Sequence, residues 1–129
     1  MTRTVAVLAA YVLPFAFSSA AIADAASETV TAASHASLAA GAADIAGVHT
    51  HLHHALNCLV GPKGAGFSAK ELNPCAQSGN GAIPDTTDAA KKSSLEAAAA
   101  KARAGIAATD YKTAQKDAAD MAAMLKPAK

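Results

Sequence analysis

Apolar residues recur at steps of three, four and seven along the first half of the chain, which is the spacing of one apolar stripe on an α-helix. The residues of this stripe are Leu38, Ile45, Val48, Leu52, Leu56 and Leu59. Ser27 is a suitable N-cap, and Gly61-Pro62 supplies a residue that can turn left-handed and then one that cannot continue a helix. The pattern predicts one long helix over about 27–60, with at most a bend at its glycines.

A second helical pattern follows Pro84 and runs to about Leu125 without another proline. Residues 61–83 are rich in glycine, proline and Asn-Gly and predict a loop. We therefore predict an all-α fold, an antiparallel hairpin of two long helices, about 27–60 and 86–125. Two helices bury little apolar surface, so we expect the hairpin to form a homodimer, a four-helix bundle.

The N-terminal segment predicts export. Arg3 precedes a short apolar run, and small residues lead to Ala23, the pattern of a secretory signal peptide with an A-x-A site. The segment is too short and poorly flanked for a spanning helix, although a retained anchor is the alternative. We expect 1–23 to be removed, leaving one helical domain over 24–129 that is periplasmic or secreted and not inserted in the membrane.

The chain contains two cysteines, Cys58 and Cys75. In an exported protein, the simplest expectation is one disulfide between them, which would fasten the loop to the end of the first helix. A loop of this length gives roughly 3 kcal/mol in the chain-entropy description. A metal–thiolate site is the alternative, but the C-x-x-C spacing and further cysteines are missing.

Charge excludes one class of function and favours another. The whole chain has 11 basic and 10 acidic residues, and loss of Arg3 makes the mature chain neutral, which gives nucleic-acid binding no electrostatic support. Residues 24–62 contain no lysine or arginine but do contain acidic residues and all the histidines. A metal cation approaching this segment meets no fixed positive charge.

His49 and His53 form an i, i+4 pair beside the apolar stripe, a spacing that lets two imidazoles bind one ion on an intact helix. If Val60 lies opposite Thr86 in the hairpin, Glu96 falls near this pair. We predict a site of His49, His53 and Glu96 for a divalent ion, with one position open to water. Nickel, copper and zinc all suit imidazole ligands.

Three other histidines form a secondary candidate set. His51 and His54 are an i, i+3 pair on the face opposite the stripe, and His35 falls on the same edge as His53 if the helix is continuous. Each of these side chains also has an ordinary interpretation as a solvated residue. A third interpretation is a pH-sensitive surface, because imidazoles titrate near neutral pH.

These patterns favour a small periplasmic metal-binding or metal-buffering protein. Non-covalent haem binding by His49 or His53 is a close variant, whereas covalent c-type haem is excluded because C-x-x-C-H is missing. The main alternative is a structural or protein-interaction module with no ligand, using the loop as its contact surface. The chain offers no nucleophile with an adjacent base, so we do not predict an enzyme.

The central segment resembles small exported bacterial proteins of uncharacterised function. The resemblance is carried by His53-His54-x-x-Asn57-Cys58-x-Val60-Gly61-Pro62, by Asn73-Pro74-Cys75 and by residues 79–85, GNGAIPD. It covers about a quarter of the chain. The resemblance implies the hairpin and the paired cysteines, and it implies no activity.

Overall fold

The computed structural model describes residues 23–127, which form helices and no strands. The helices are α1 (Ala25–Ala40), α2 (Ile45–Val60), α3 (Ala82–Asp85), α4 (Ala89–Ala107) and α5 (Tyr111–Leu125). The predicted all-α class is confirmed. The predicted signal peptide lies, apart from Ala23, outside the described residues. Among the described helices, none has the length and apolar character needed to cross a membrane.

Each of the two predicted long helices is divided into two shorter ones. The first is interrupted between Ala40 and Ile45, and the second between Ala107 and Tyr111. An aspartate begins the new helix in both cases: Asp44 Oδ1 accepts a hydrogen bond from the N–H of Gly47 at 2.8 Å, and Asp110 caps α5 in the same way. These side chains satisfy N–H groups that would otherwise be left without partners at a helix start, so they favour a break over continuation.

Contacts between the helices also stabilise the break after α1. The Tyr111 hydroxyl donates to the carbonyl oxygen of Ala42 at 2.7 Å, and Gln115 Nε2 donates to that of Ala40 at 2.9 Å. Both carbonyls belong to the end of α1 or to the turn after it, where helical partners are lost. Side chains of α5 therefore hold the turn that reverses the chain between α1 and α2.

Four helices of one chain pack around a common core. α2 contacts α1, α4 and α5, and α1 and α4 each also contact α5. The largest buried side chains include Leu52, Leu56 and Leu59 of α2. Alanines of the other three helices face them: Ala32, Ala36, Ala39, Ala98, Ala99, Ala102, Ala114 and Ala118. These small residues let the helices approach closely. The chain thus supplies from its own helices the core that we expected from a dimer; the homodimer itself stays a prediction.

The apolar stripe predicted from the sequence holds only within α2. Val48 is fully buried and Ile45 is partly buried, but Leu38 is 53% exposed. The reason is the break at residues 41–44. The stripe was calculated for one continuous helix, but the chain reverses at the break, so Leu38 before it no longer faces the same side as the residues of α2. The inward residues of α1 are alanines together with Glu28, which is fully buried.

The loop between α2 and α3 is fastened to the end of α2. The predicted disulfide between Cys58 and Cys75 is present. One residue before Cys58, the fully buried side chain of Asn57 donates to the carbonyls of Ser68 and Leu72, each at 3.0 Å, and accepts from the N–H of Ser68 at 2.9 Å. A covalent bond and three hydrogen bonds therefore fix the loop to adjacent positions of α2.

The two ends of this loop touch each other through glycines. Gly61 has φ +67°, as its predicted role at the helix end requires, and a side chain there would collide with the Asn80 carbonyl. Gly81 lies so close to Gly61 that a Cβ atom would meet its backbone nitrogen. The chain therefore enters and leaves the loop at one point beside the end of α2.

The N-cap of α2 gives a stability prediction. We expect Asp44→Ala to lower the free energy of unfolding by about 1 kcal/mol, because the Gly47 N–H loses its partner. Chemical denaturation of the two proteins measures the difference. Glu96→Ala is the control, since Glu96 is exposed within α4, and it is expected to change stability by less than about 0.5 kcal/mol. Equal losses in the two variants would contradict the capping role.

Candidate metal centre

His35, His51 and His54 come together where α1 packs on α2. His35 lies on α1, and the other two lie on successive turns of α2. The reversal at residues 41–44 brings α1 back along α2, so that His35 meets the face that carries His51 and His54 rather than the edge that carries His53. His54 is 7% exposed, and the other two members are partly buried.

The spacing of the three imidazoles fits one metal ion. The ring centroids are 5.1 to 5.7 Å apart, and one nitrogen from each ring lies within 4.8 Å of the others. The Nδ1 atoms of His35 and His51 are 3.4 Å apart. Two nitrogens bound to one tetrahedral zinc at 2.0–2.1 Å would lie roughly 3.3–3.4 Å from each other. The same separation is long for a hydrogen bond, whose usual length is about 2.9–3.0 Å.

The local environment lowers the pKa of two of these imidazoles, those of His35 and His54. Burial lowers the pKa of His35, and the neighbouring imidazoles of His54 and His51 lower it further. Burial also lowers the pKa of His54. The neighbouring His51 and, to a smaller extent, His53 lower it further, whereas the Glu71 carboxylate raises it. Since a metal ion binds the neutral form of imidazole, His35 and His54 are ready to coordinate at neutral pH.

Glu71 extends the cluster into the loop. Its Oε2 atom lies 3.8 Å from Nε2 of His54, and its side chain is 34% exposed. The loop positions Glu71 next to Leu72, whose carbonyl is bound by Asn57. Within residues 23–127, Nδ1 of His54 is buried without a hydrogen-bond partner. A histidine with a carboxylate near one nitrogen and a free lone pair on the other resembles the carboxylate–histidine–metal arrangement of known metal sites.

The primary set predicted from the sequence is placed differently. His49 Nε2 donates to the carbonyl oxygen of Ala108 at 3.1 Å. His53 is partly buried, and its Nδ1 atom lacks a partner among the described residues. Glu96 is exposed on α4 and lines a surface cleft with Val60. Among residues 23–127, the one group of three or more potential ligands that meets the distance criterion is that of His35, His51 and His54.

The pairing of the helices explains this difference. If Val60 lay opposite Thr86, as we expected, an antiparallel pairing would put residue 97 opposite His49. In the structure His49 instead contacts the carbonyl of Ala108, a displacement of 11 residues. At 1.5 Å per residue this is roughly 16 Å along the axis. The extra residues are taken up by the short helix α3 and by the extended chain before Ala89. Glu96 consequently lies near Val60, at the other end of α2 from His49.

Comparison of the chain with protein families, with curated proteins and with solved structures finds no match. The site is therefore interpreted from its own geometry and chemistry.

The lowered pKa values of two cluster members give a pH prediction. In the unfolded chain, the imidazoles of His35 and His54 take up a proton near pH 6.5, whereas in the folded chain they do so only at lower pH. Between these two pH values the unfolded state therefore binds more protons than the folded state. The contribution of His35 and His54 to stability is thus complete above pH 6.5 and is lost as the pH falls through their lowered pKa values. We expect the free energy of unfolding of metal-free protein to decrease between pH 7.5 and 5.5.

The variant His54→Gln should show a smaller decrease over this range. The control His49→Gln should retain the full decrease, since it keeps His35 and His54. Burial raises the pKa of Glu28, and its contribution has the opposite sign because it is lost as the pH rises above 4.5. That contribution is common to all three proteins and cancels in the comparison. Identical pH profiles for the three proteins would contradict the assignment.

Proposed function

We propose that this chain is a small exported protein that binds and buffers a divalent transition metal, with His35, His51 and His54 as its ligands. The observation that carries the proposal is the convergence of three imidazoles from two helices within coordination distance. Imidazoles and a nearby carboxylate suit zinc, nickel and copper(II). This set replaces His49, His53 and Glu96 as the site we favour.

The partial exposure of the cluster supports buffering and exchange rather than permanent storage of a structural ion. His54 is buried, but His35 and His51 retain access to solvent. A closed structural zinc site has four protein ligands, whereas three histidines leave a position for water or for Glu71. An ion held in this way can be loaded from solution and passed on.

The crowding of the rings favours an ion over haem. The three centroids lie within 5.7 Å of one another, and two of the three pairs are edge-to-face. A haem group bound by one of these imidazoles would have to displace the other two from its faces. A single small cation requires movements of at most about 1.5 Å to bring the third nitrogen into the tetrahedral spacing.

Metal titration tests the proposal. We expect calorimetry of the metal-free protein with zinc, nickel and copper(II) to give one ion per chain, with a dissociation constant well below millimolar for at least one metal. At an ion concentration 100-fold above that constant, linkage stabilises the folded state by about 2.7 kcal/mol. Thermal unfolding with and without metal provides a second measurement.

Substitutions identify the ligands. We expect His35→Ala, His51→Ala and His54→Ala each to weaken binding by about 100-fold or more, since loss of a ligand costs at least as much as loss of an outer partner. The control His49→Ala removes a histidine that contacts the Ala108 carbonyl and should bind as the wild type does. If His49→Ala abolishes binding and the cluster variants do not, the proposed site is wrong. If no metal binds more tightly than about millimolar, metal buffering is wrong.

Glu71→Gln tests the contribution of the loop. The change keeps the size of the side chain and removes its charge, so we expect metal affinity to fall by about 10- to 100-fold. Glu96→Gln is the matched control, because it removes the same charge from a position outside the cluster. Equal affinities for wild type and Glu71→Gln would show that the carboxylate does not act on the site.

A further inference from the structure

A second polar site lies at the start of α1 and is separate from the histidine cluster. Glu28 is fully buried on the inward face of α1. Its Oε1 atom accepts a hydrogen bond from the N–H of Gly81 at 2.9 Å. Its Oε2 atom is buried and has no partner among residues 23–127. A carboxylate in this position requires either a proton or a cation close to it.

The charges around Glu28 are negative. Burial is the main cause that raises its pKa, and Asp85 and Asp24 raise it further. Lys63 and Lys92 line a cleft together with Asp85. Neither lysine is among the groups that shift the pKa of Glu28, and the charged groups that do so are carboxylates. Among the described residues, no cation therefore compensates the charge of Glu28.

The backbone before α1 passes directly over these carboxyl groups. The position that a side chain on Gly79 would occupy is in contact with Asp85 Oδ2, lies 3.0 Å from Glu28 Oε1 and lies 3.3 Å from the Cα atom of Ala23. Because Gly79 has no side chain, Ala23 and the two acids can surround the same small space beside it. The peptide between Ala23 and Asp24 is thus at the mouth of the buried site.

Export processing would change the chemistry at this point. Hydrolysis of the Ala23–Asp24 bond by a signal peptidase adds water across it, giving a carboxylate on Ala23 and an amine on Asp24 that takes up a proton. The backbone nitrogen of Asp24 already donates to the carbonyl oxygen of Ser78 at 3.0 Å. An ammonium group can keep this bond and still has two further N–H donors.

We propose that Glu28 and Asp85 form a binding site for the α-ammonium group of Asp24 in the processed chain. The positive charge would lie beside two carboxyl groups, and it would supply a donor for Oε2 of Glu28, the atom that has no partner among the described residues. The proposal depends on the predicted cleavage after Ala23 and is independent of metal binding by the histidines. It also explains why an acid is buried here: Glu28 ionises when residues 1–23 are removed and the new ammonium group is available to pair with it.

One effect opposes this arrangement. The start of a helix carries a partial positive charge, which disfavours an ammonium group. Asp24 partly offsets this effect, because its carboxylate caps α1 by accepting from the N–H of Ser27 at 3.0 Å. Whether the ammonium is held therefore depends on Glu28 and Asp85, and the pKa of the α-amino group measures their effect.

The experiment uses protein exported and processed by the cell. Intact mass identifies the first residue, and competitive labelling with acetic anhydride at a series of pH values, read by mass spectrometry, gives the α-amino pKa. Chains normally show about 7.7–8.0. We expect Asp24 as the first residue and a pKa raised by about one unit, which makes labelling at neutral pH about tenfold slower.

Glu28→Gln and Asp85→Asn should each return the α-amino pKa towards its usual value, whereas Glu96→Gln, an exposed acid on α4, should leave it raised. If Glu28→Gln does not fold, Asp85→Asn and the wild-type pKa still decide the matter. The proposal is overturned by a different first residue, by an ordinary pKa in the wild type, or by a raised pKa that neither variant lowers. A metal ion in the pocket would leave the α-amine at its usual pKa, and that outcome also overturns it.

Discussion

The packing of α2 against alanine faces is the interaction on which the rest of the structure depends. α2 carries the large leucines of the core, and the three helices that contact it present mainly alanine. Because the facing side chains are small, polar residues on the other faces of α2 also come close to its neighbours. This is why His51 and His54 meet a side chain of α1, and why His49 reaches a backbone carbonyl beyond α4.

The end of α2 connects the loop to the candidate site. His54, Asn57 and Cys58 occupy consecutive turns of one helix, and the last two of them hold the loop. The loop in turn brings Glu71 to His54. Asn57 and Cys75 make this attachment, through hydrogen bonds and through the disulfide to Cys58. In this chain they therefore fix a loop beside an imidazole.

Local signals predicted the parts of the structure that local chemistry determines. The all-α class, the end of α2 at Gly61 and the disulfide follow from periodicity, backbone freedom and cysteine number. The sequence also contains signals for the two helix breaks, the N-cap residues Asp44 and Asp110. The alanine-rich stretches around them favour helix, and we therefore predicted one continuous helix in each half of the chain. Glu28 was marked as well, since it stands in the same helical register as the buried alanines of α1.

The candidate site was harder to predict because it depends on distant parts of the chain. His35, His51 and His54 were recognised as candidates, but a continuous helix placed His35 on another face; only the reversal at residues 41–44 brings them together. The prediction that Glu96 lies near His49 was wrong. Which residues of two antiparallel helices lie side by side depends on the number of residues in the segment that connects them, and the sequence does not give that number. Glu71 had no signal of its own in the sequence, since the loop gives no periodicity.

The alanine faces also have a thermal consequence. Alanine buries little apolar surface, so unfolding exposes less of it per residue than in a core of leucine and phenylalanine. The heat-capacity increment of unfolding depends mainly on that surface, and a small increment flattens the curve of stability against temperature. A bundle of this kind keeps a similar margin of stability across a wide range of temperatures.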